Sequence, residues 1–205
     1  MDRELDMGVI VNPRGTSGAG KTEFAPRILA DYGWGKDGQV EPIHHSRRRW
    51  PVGYRLRHPL GRRPLIVLGH YERTSGGCDT FSARDGGLDE AFRLADAWAS
   101  AEHDVLLEGF ALSTEHERSA WLARRHALHV LCLATPPEQA ARNLVSRWRA
   151  RGDSWPSVTG AVVTQRDAIE DACSRLQHVA TVEDLGFEAA LCRARQVLAL
   201  PPEAG

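Results

Sequence analysis

The sequence predicts an α/β domain, three layers deep, built on a parallel sheet of about five strands. Three observations carry that reading. Short apolar runs of three to five residues recur along the chain, at Gly8–Val11, Leu65–Leu68, Val105–Leu107 and His129–Leu133. Segments with apolar residues at helical spacing separate them. The runs are continuously apolar rather than alternating, as expected for strands covered on both faces.

The elements follow in order. Gly8–Val11 reads as a buried strand, and a glycine-rich turn from Gly15 to Gly20 leads into a helix over Lys21–Asp31 with Phe24, Ile28 and Leu29 on one face. Pro26 lies past the first turn of that helix, where it removes one backbone hydrogen bond. Residues 33–63 are rich in Gly, Pro and Arg and read as a basic insertion or small lobe, with one short strand at Val40–His44. Leu65–Leu68 is a strand, and Leu88, Ala91, Phe92, Ala95, Trp98 and Ala99 mark a helix. Val105–Leu107 is a strand ending at Glu108-Gly109, and Ser119–His126 is helical. His129–Leu133 is a strand, followed after Pro136-Pro137 by a helix over Glu138–Arg151. A helix at Val162–Leu176, a short strand at His178–Val182 and a helix at Phe187–Leu198 close the domain, with residues 142–160 a lid-like segment.

Length and composition bound the possibilities. The 205 residues suit one domain, 1–205, with 42% hydrophobic and 26% charged residues and a net charge of -1. Cys78, Cys132, Cys173 and Cys192 stand far apart, which argues for reduced thiols and against structural zinc. The charged segment Met1–Met7 lacks a signal-peptide pattern, and no apolar run approaches the roughly 18 residues of a membrane span. The expectation is a soluble cytoplasmic protein with no membrane partner. The basic residues are almost all arginine, and Lys21 and Lys36 are the only lysines.

Gly15, Thr16, Ser17, Gly18, Ala19, Gly20, Lys21 and Thr22 match G-x-x-x-x-G-K-[ST] in full, with a strand before and a helix after. Glycines let successive N–H groups turn toward phosphate oxygens, and the helix N-terminus adds its positive end. Lys21 supplies a cation to the outer phosphates, and the Thr22 hydroxyl is a Mg²⁺ ligand. The cofactors expected are ATP and Mg²⁺. Glu108 ends a buried strand, where open α/β sheets bind ligands, and is the second metal candidate, through water.

The acceptor side is read from three segments. Gly76-Gly77-Cys78-Asp79 follows a strand; its glycines permit an unusual backbone that exposes Asp79, a candidate to orient an acceptor hydroxyl or, alternatively, to cap the helix starting near Gly86. Tyr71 is placed to stack on or hydrogen-bond the acceptor. Between Glu41 and Glu72 there is no acidic residue, while Arg47, Arg48, Arg49, Arg55, Arg57, Arg62 and Arg63 interleave with Trp50 and Tyr54. Bidentate guanidinium groups with aromatics suit a nucleotide or nucleic acid, and Arg47, Arg48, Arg49 and Trp50 are the acceptor-binding candidates. Arg142, Arg147, Arg149 and Arg151 lie on or after one helix; Arg147 is the candidate to cover the transferring phosphoryl, with Lys21, Asp79 and Glu108 as the other catalytic candidates.

On these motifs the chain resembles the nucleoside-monophosphate-kinase-like branch of P-loop kinases. Within it, the chain is similar to the thymidylate-kinase-like proteins of tailed phages, which include the 5-hydroxymethyluracil DNA kinases. The resemblance runs from Val9 to about Leu198 and rests on Gly15–Thr22, on Gly76–Asp79 and on Leu107-Glu108-Gly109. It implies transfer of the γ-phosphoryl of ATP to a hydroxyl of a nucleotide-type acceptor, foremost 5-hydroxymethyluracil in phage DNA. The Asp-Arg pair that cellular thymidylate kinases carry after the second strand is replaced by Gly76-Gly77-Cys78-Asp79-Thr80, which leaves room for another acceptor. The rival readings are a nucleoside monophosphate or other small-molecule kinase, and a non-catalytic nucleotide-binding module.

Overall fold

The computed structural model describes residues 7–45, 48–72, 76–148 and 155–201. Seven strands form one sheet: β1 (Ile10–Arg14), β2 (Val40–Ile43), β3 (Gly53–Leu56), β4 (Leu65–Leu68), β5 (Asp104–Leu106), β6 (Leu128–Leu133) and β7 (Thr181–Leu185). Six helices accompany them: α1 (Lys21–Asp31), α2 (Gly87–Ser100), α3 (Glu117–Ala123), α4 (Pro137–Trp148), α5 (Trp155–Leu176) and α6 (Phe187–Val197). The spatial order is β2-β3-β4-β5-β1-β6-β7. The five strands from β4 to β7 are parallel, as expected, whereas β3 runs antiparallel to β4 and β2 antiparallel to β3.

The strands explain their own burial. Successive side chains leave a strand on opposite faces. Ile66, Leu68, Val105, Leu107 and Val130 join one core with α2, α3 and α5, while Leu65, Val67, Leu106, Leu131 and Leu133 join another with α1 and α6. A third, small cluster joins Ala140, Ala141 and Leu144 of α4 to Val162 of α5, so this helix pair carries apolar packing of its own.

β1, central among the five parallel strands, begins two residues later than the sequence suggested and runs on through Asn12, Pro13 and Arg14. A proline is unusual in a central strand, since it cannot donate to the ladder. Val9 and Val11 face β5, accepting from Val105 N and Leu107 N, whereas Ile10 N donates toward β6. Pro13 therefore faces β5 past the last paired residue there, and its missing N–H removes no ladder bond. Arg14 is fully buried; it donates to Asn12 Oδ1 at 2.7 Å and Ser119 Oγ at 2.7 Å, and burial lowers its pKa.

Two sequence expectations change. Residues 33–63 do not stand apart as a lobe: β2 and β3 extend the main sheet, and β3 went unseen because Gly53, Tyr54, Arg55 and Leu56 carry no continuous apolar run. β7 lies about three residues later than the predicted His178–Val182, since Leu176 to Ala180 form the turn ending α5. The lid-like segment spans the end of α4 and the start of α5; Arg149 and Arg151 lie outside the described residues. Among the described residues, no helix is long and apolar enough to cross a membrane.

Candidate active site

The glycine-rich loop joins β1 to α1 at the carboxyl edge of the sheet. Gly18 has φ +82°, and a β-carbon there would stand 2.2 Å from the Ala140 carbonyl oxygen of α4. Only glycine allows so close a contact in that conformation. Asn143 Nδ2 donates to Gly18 O at 2.8 Å, and Thr135 Oγ1 donates to Ala19 O at 3.1 Å. Ser17 N donates to Gln165 Oε1 of α5 at 2.7 Å. The loop is thus shaped from outside by residues that sequence reading passed over, because nothing in their spacing marks them.

The N–H groups at the start of α1, where Lys21 and Thr22 lie, have no intrahelical acceptor by geometry, so they face the edge where an anion would bind. Lys21 is folded back, its Nζ donating to Gly15 O and, at 3.1 Å, to Thr16 O. Burial lowers its pKa to about 8, against the attraction of Glu108 and Asp79.

β5 delivers Glu108 beside this loop. Asn12 Nδ2 donates to Leu107 O at 2.5 Å and Leu107 N to Val11 O at 3.0 Å, fixing the strand end against β1. Glu108 is 4% exposed. Burial raises its pKa from 4.5 to about 7; Lys21 opposes the rise, Asp79 adds to it and the Tyr71 hydroxyl opposes it. Tyr71 Oη donates to Glu108 Oε2 at 3.3 Å, and its own pKa is pushed up by burial and by Glu108.

Asp79 sits in the 3₁₀ turn Gly77–Thr80 after β4. Cys78 N donates to Glu108 O at 2.7 Å, and Thr80 Oγ1 donates to Gly77 O at 2.7 Å. Gly77 has φ +46°, and a β-carbon on it would collide with both Glu108 and Tyr71. The expected unusual backbone is therefore at Gly77, while Gly76 is in the ordinary helical region. The Asp79 carboxylate accepts from Phe110 N at 2.5 Å and Ala111 N at 3.1 Å. It caps the turn after β5, not the helix near Gly86, where Ser82 and Asp85 cap each other instead.

A pocket of about 190 Å³ brings together Thr16, Lys21, Thr22, Asp79, Glu108 and Arg147, with Phe110 and Leu144 on its walls. Arg147 is exposed on α4, near enough to oppose the Lys21 charge. A wider cleft of about 680 Å³ opens on the α5 side of the same loop, between Thr16, Thr135, Glu138 and Arg166.

The arginine-rich stretch does not form one surface. β3 runs antiparallel to β4, with Gly53 opposite Leu68 and Leu56 opposite Leu65. Residues before β3 thus fall at the carboxyl edge and those after it at the far edge. At the far edge, Arg63 pairs with Asp104 at 3.2 Å; Arg55 pairs with Glu41 at 3.6 Å. At the carboxyl edge, Arg48 lies over the Phe81 ring at 4.7 Å, donates to Thr80 O at 2.8 Å and pairs with Asp85 at 3.5 Å. It secures the loop that carries Asp79. Trp50 stacks on His70 at 5.0 Å, and exposed Arg49 lies over the Trp50 ring. Arg47 lies outside the described residues.

A five-stranded parallel sheet with a glycine-rich phosphate loop after its central strand, and an acid at the end of the neighbouring strand, defines a P-loop kinase. No family model matches the chain. A protein of Pseudomonas phage PaMx11 named 5-hmdU DNA kinase is 34% identical over 150 residues, which cover 73% of this chain and 74% of that protein. The chain belongs to that family, the 5-hmdU DNA kinases, and is a phosphotransferase. Among solved structures, it is similar to shikimate kinase from Acinetobacter baumannii in complex with shikimate, at 15% identity and a TM-score of 0.44 over 94% of each chain. Shikimate kinase from Bacteroides thetaiotaomicron aligns at 15% identity with a TM-score of 0.45, over 95% of this chain and 99% of that one.

Proposed function

We propose that this kinase transfers the γ-phosphoryl of ATP, as its Mg²⁺ complex, to the hydroxymethyl oxygen of 5-hydroxymethyluracil in DNA. The observation that carries the reading is the convergence of Lys21, Thr22, Asp79, Glu108 and Arg147 on one pocket. The named relative supports the choice of acceptor.

The roles follow from the geometry. The phosphates lie along Gly15–Thr22, with Lys21 released from Gly15 O and Thr16 O to meet them. Thr22 and Glu108 are oxygen donors on the same pocket and fit a hard cation. Among the described residues, no group of three or more His, Cys, Asp or Glu side chains converges to hold a metal. Mg²⁺ here would take its remaining oxygens from phosphate and water, where it would neutralise developing charge. Asp79 orients the acceptor hydroxyl. In the transfer, the hydroxyl oxygen forms its bond to the γ-phosphorus as the bond to the β,γ-bridging oxygen breaks. ADP leaves, and the hydroxyl proton passes to the carboxylate that oriented it. Arg147, on α4, covers the phosphoryl as its charge spreads over the equatorial oxygens.

The test is label transfer from γ-labelled ATP with Mg²⁺ to DNA containing 5-hydroxymethyluracil, to unmodified DNA and to a panel of free deoxynucleoside monophosphates. Label in modified DNA alone is the expected result. Label in a mononucleotide alone would replace the proposal with a nucleotide kinase.

A further inference from the structure

Phe110 follows Glu108 by two residues and is 53% exposed, although it lines the pocket that holds Lys21, Asp79 and Glu108. A single exposed apolar residue is ordinary on a protein surface, but an aromatic ring exposed on the wall of this pocket offers a face on which a base can stack. Its backbone is held firmly. Asp79 accepts from Phe110 N and Ala111 N, and Ser113 N donates to Phe110 O at 3.0 Å. Leu112 and Ser113 behind it are fully buried. The ring is thus presented to solvent on a fixed base, and the residue fixing it is the one proposed to orient the acceptor.

The depth of the site bears on what reaches it. Glu108 and Lys21 are 4% and 7% exposed, at the floor of a concave pocket of about 190 Å³. The edge of a paired base lies at the bottom of a groove roughly 8.5 Å deep. Two concave surfaces do not bring that edge to the floor of the pocket. A base leaves the stack to enter such a site, and the stacking it gives up has to be replaced.

We infer that Phe110 is a stacking platform for the pyrimidine ring of the acceptor, taken from single-stranded DNA or extruded from a duplex. This rests on the reading that the acceptor is a base in DNA. It adds a binding residue, and a preference for unpaired acceptors, to the proposed reaction.

The experiment compares the wild type with Phe110→Ala and Phe110→Trp on oligonucleotides bearing one 5-hydroxymethyluracil, as a single strand, in a matched duplex and opposite a mismatch. Phe110→Ala should raise KM for each DNA acceptor by about 5- to 100-fold, as loss of one aromatic–base stack predicts. Phe110→Trp should stay near wild type. The wild type should show its lowest KM on the single strand and its highest on the matched duplex. In a second readout, 2-aminopurine opposite the modified base should brighten on wild-type binding and less so with Phe110→Ala. Thermal unfolding checks that the variants fold. Wild-type activity with an unchanged KM in Phe110→Ala would overturn the stacking role, and a preference for the matched duplex would overturn the extrusion. If the wild type leaves every modified oligonucleotide unlabelled, the acceptor assignment itself fails and the inference falls with it.

Discussion

Replacing Glu108 by glutamine should make the nucleotide-free protein more stable while removing its activity. Glu108 is buried, and its pKa rises from 4.5 to about 7. Below pH 4.5 the carboxyl is protonated in both folded and unfolded chains, so it makes no difference to stability. Between 4.5 and about 7 the unfolded chain has released a proton that the folded chain still holds. Stability therefore falls as pH climbs through that window and levels off above it. At about 1.4 kcal/mol per pH unit, the loss is on the order of 3 kcal/mol. Glutamine is neutral at every pH and can still accept from the Tyr71 hydroxyl. At pH 8 the variant should melt roughly 6 to 12 °C above the wild type, on a scale of about 2 to 4 °C per kcal/mol for a chain of this size. At pH 4.5 the two should melt together. The assay is thermal unfolding from pH 4.5 to 8.5 without nucleotide or Mg²⁺. A melting difference that is constant with pH, or a variant less stable at pH 8, would refute the reasoning. Either result would mean that Lys21 holds Glu108 as a satisfied ion pair.

Other expectations rest on single contacts. Gly18→Ala forces a β-carbon against the Ala140 carbonyl at positive φ, so it should cost about 1 to 3 kcal/mol and weaken ATP binding, read by melting and calorimetric titration. Tyr71→Phe removes the hydroxyl that favours ionised Glu108, so the acidic limb of the kcat/KM–pH profile should move to higher pH; an unmoved limb would leave Tyr71 no part in holding that carboxyl. Arg49→Ala should weaken binding of modified DNA evenly across sequences and lower the slope of log K against log salt by about one, whereas Arg62→Ala, at the far edge, should leave the slope unchanged.

Legibility in the sequence followed how local each signal was. The phosphate loop is contiguous, so motif, strand and helix could be read together, and α1 has the predicted bounds, Lys21–Asp31. Of the five parallel strands, β7, with Thr181 and Asp184 exposed, was placed too early, whereas β1, β4, β5 and β6 announced themselves because they are buried on both faces and need no polar alternation. β3 did not, because it shares its four residues with a half-buried arginine and a glycine. Phe110 was missed for a related reason: an aromatic after Glu-Gly looks like any loop residue until Asp79, 31 positions earlier, is seen to hold its backbone. Gln165 and Asn143 shape the phosphate loop from α5 and α4, across separations no spacing rule reaches.

The division of the arginine stretch shows how register turns composition into function. Read as a line, Arg47 to Arg63 is one basic block with room to grip a polymer throughout. The pairing of β3 with β4 runs that line across the sheet, so that Arg48 and Arg63 lie toward opposite edges. The phosphate loop, Asp79 and Glu108 all lie at the carboxyl edge. Arg55, within β3, is directed at Glu41 of β2, and Arg63, beyond Leu56, at Asp104 near the sheet's far end. At the carboxyl edge, Arg48 is committed to Thr80, Phe81 and Asp85. Among the described residues of the stretch, the carboxyl edge also carries Arg49 over the ring of Trp50, which stacks on His70. As proposed contacts to DNA, Arg49 and Trp50 suit a few nucleotides around one base. That scale agrees with the proposed entry of a single unstacked base into the pocket.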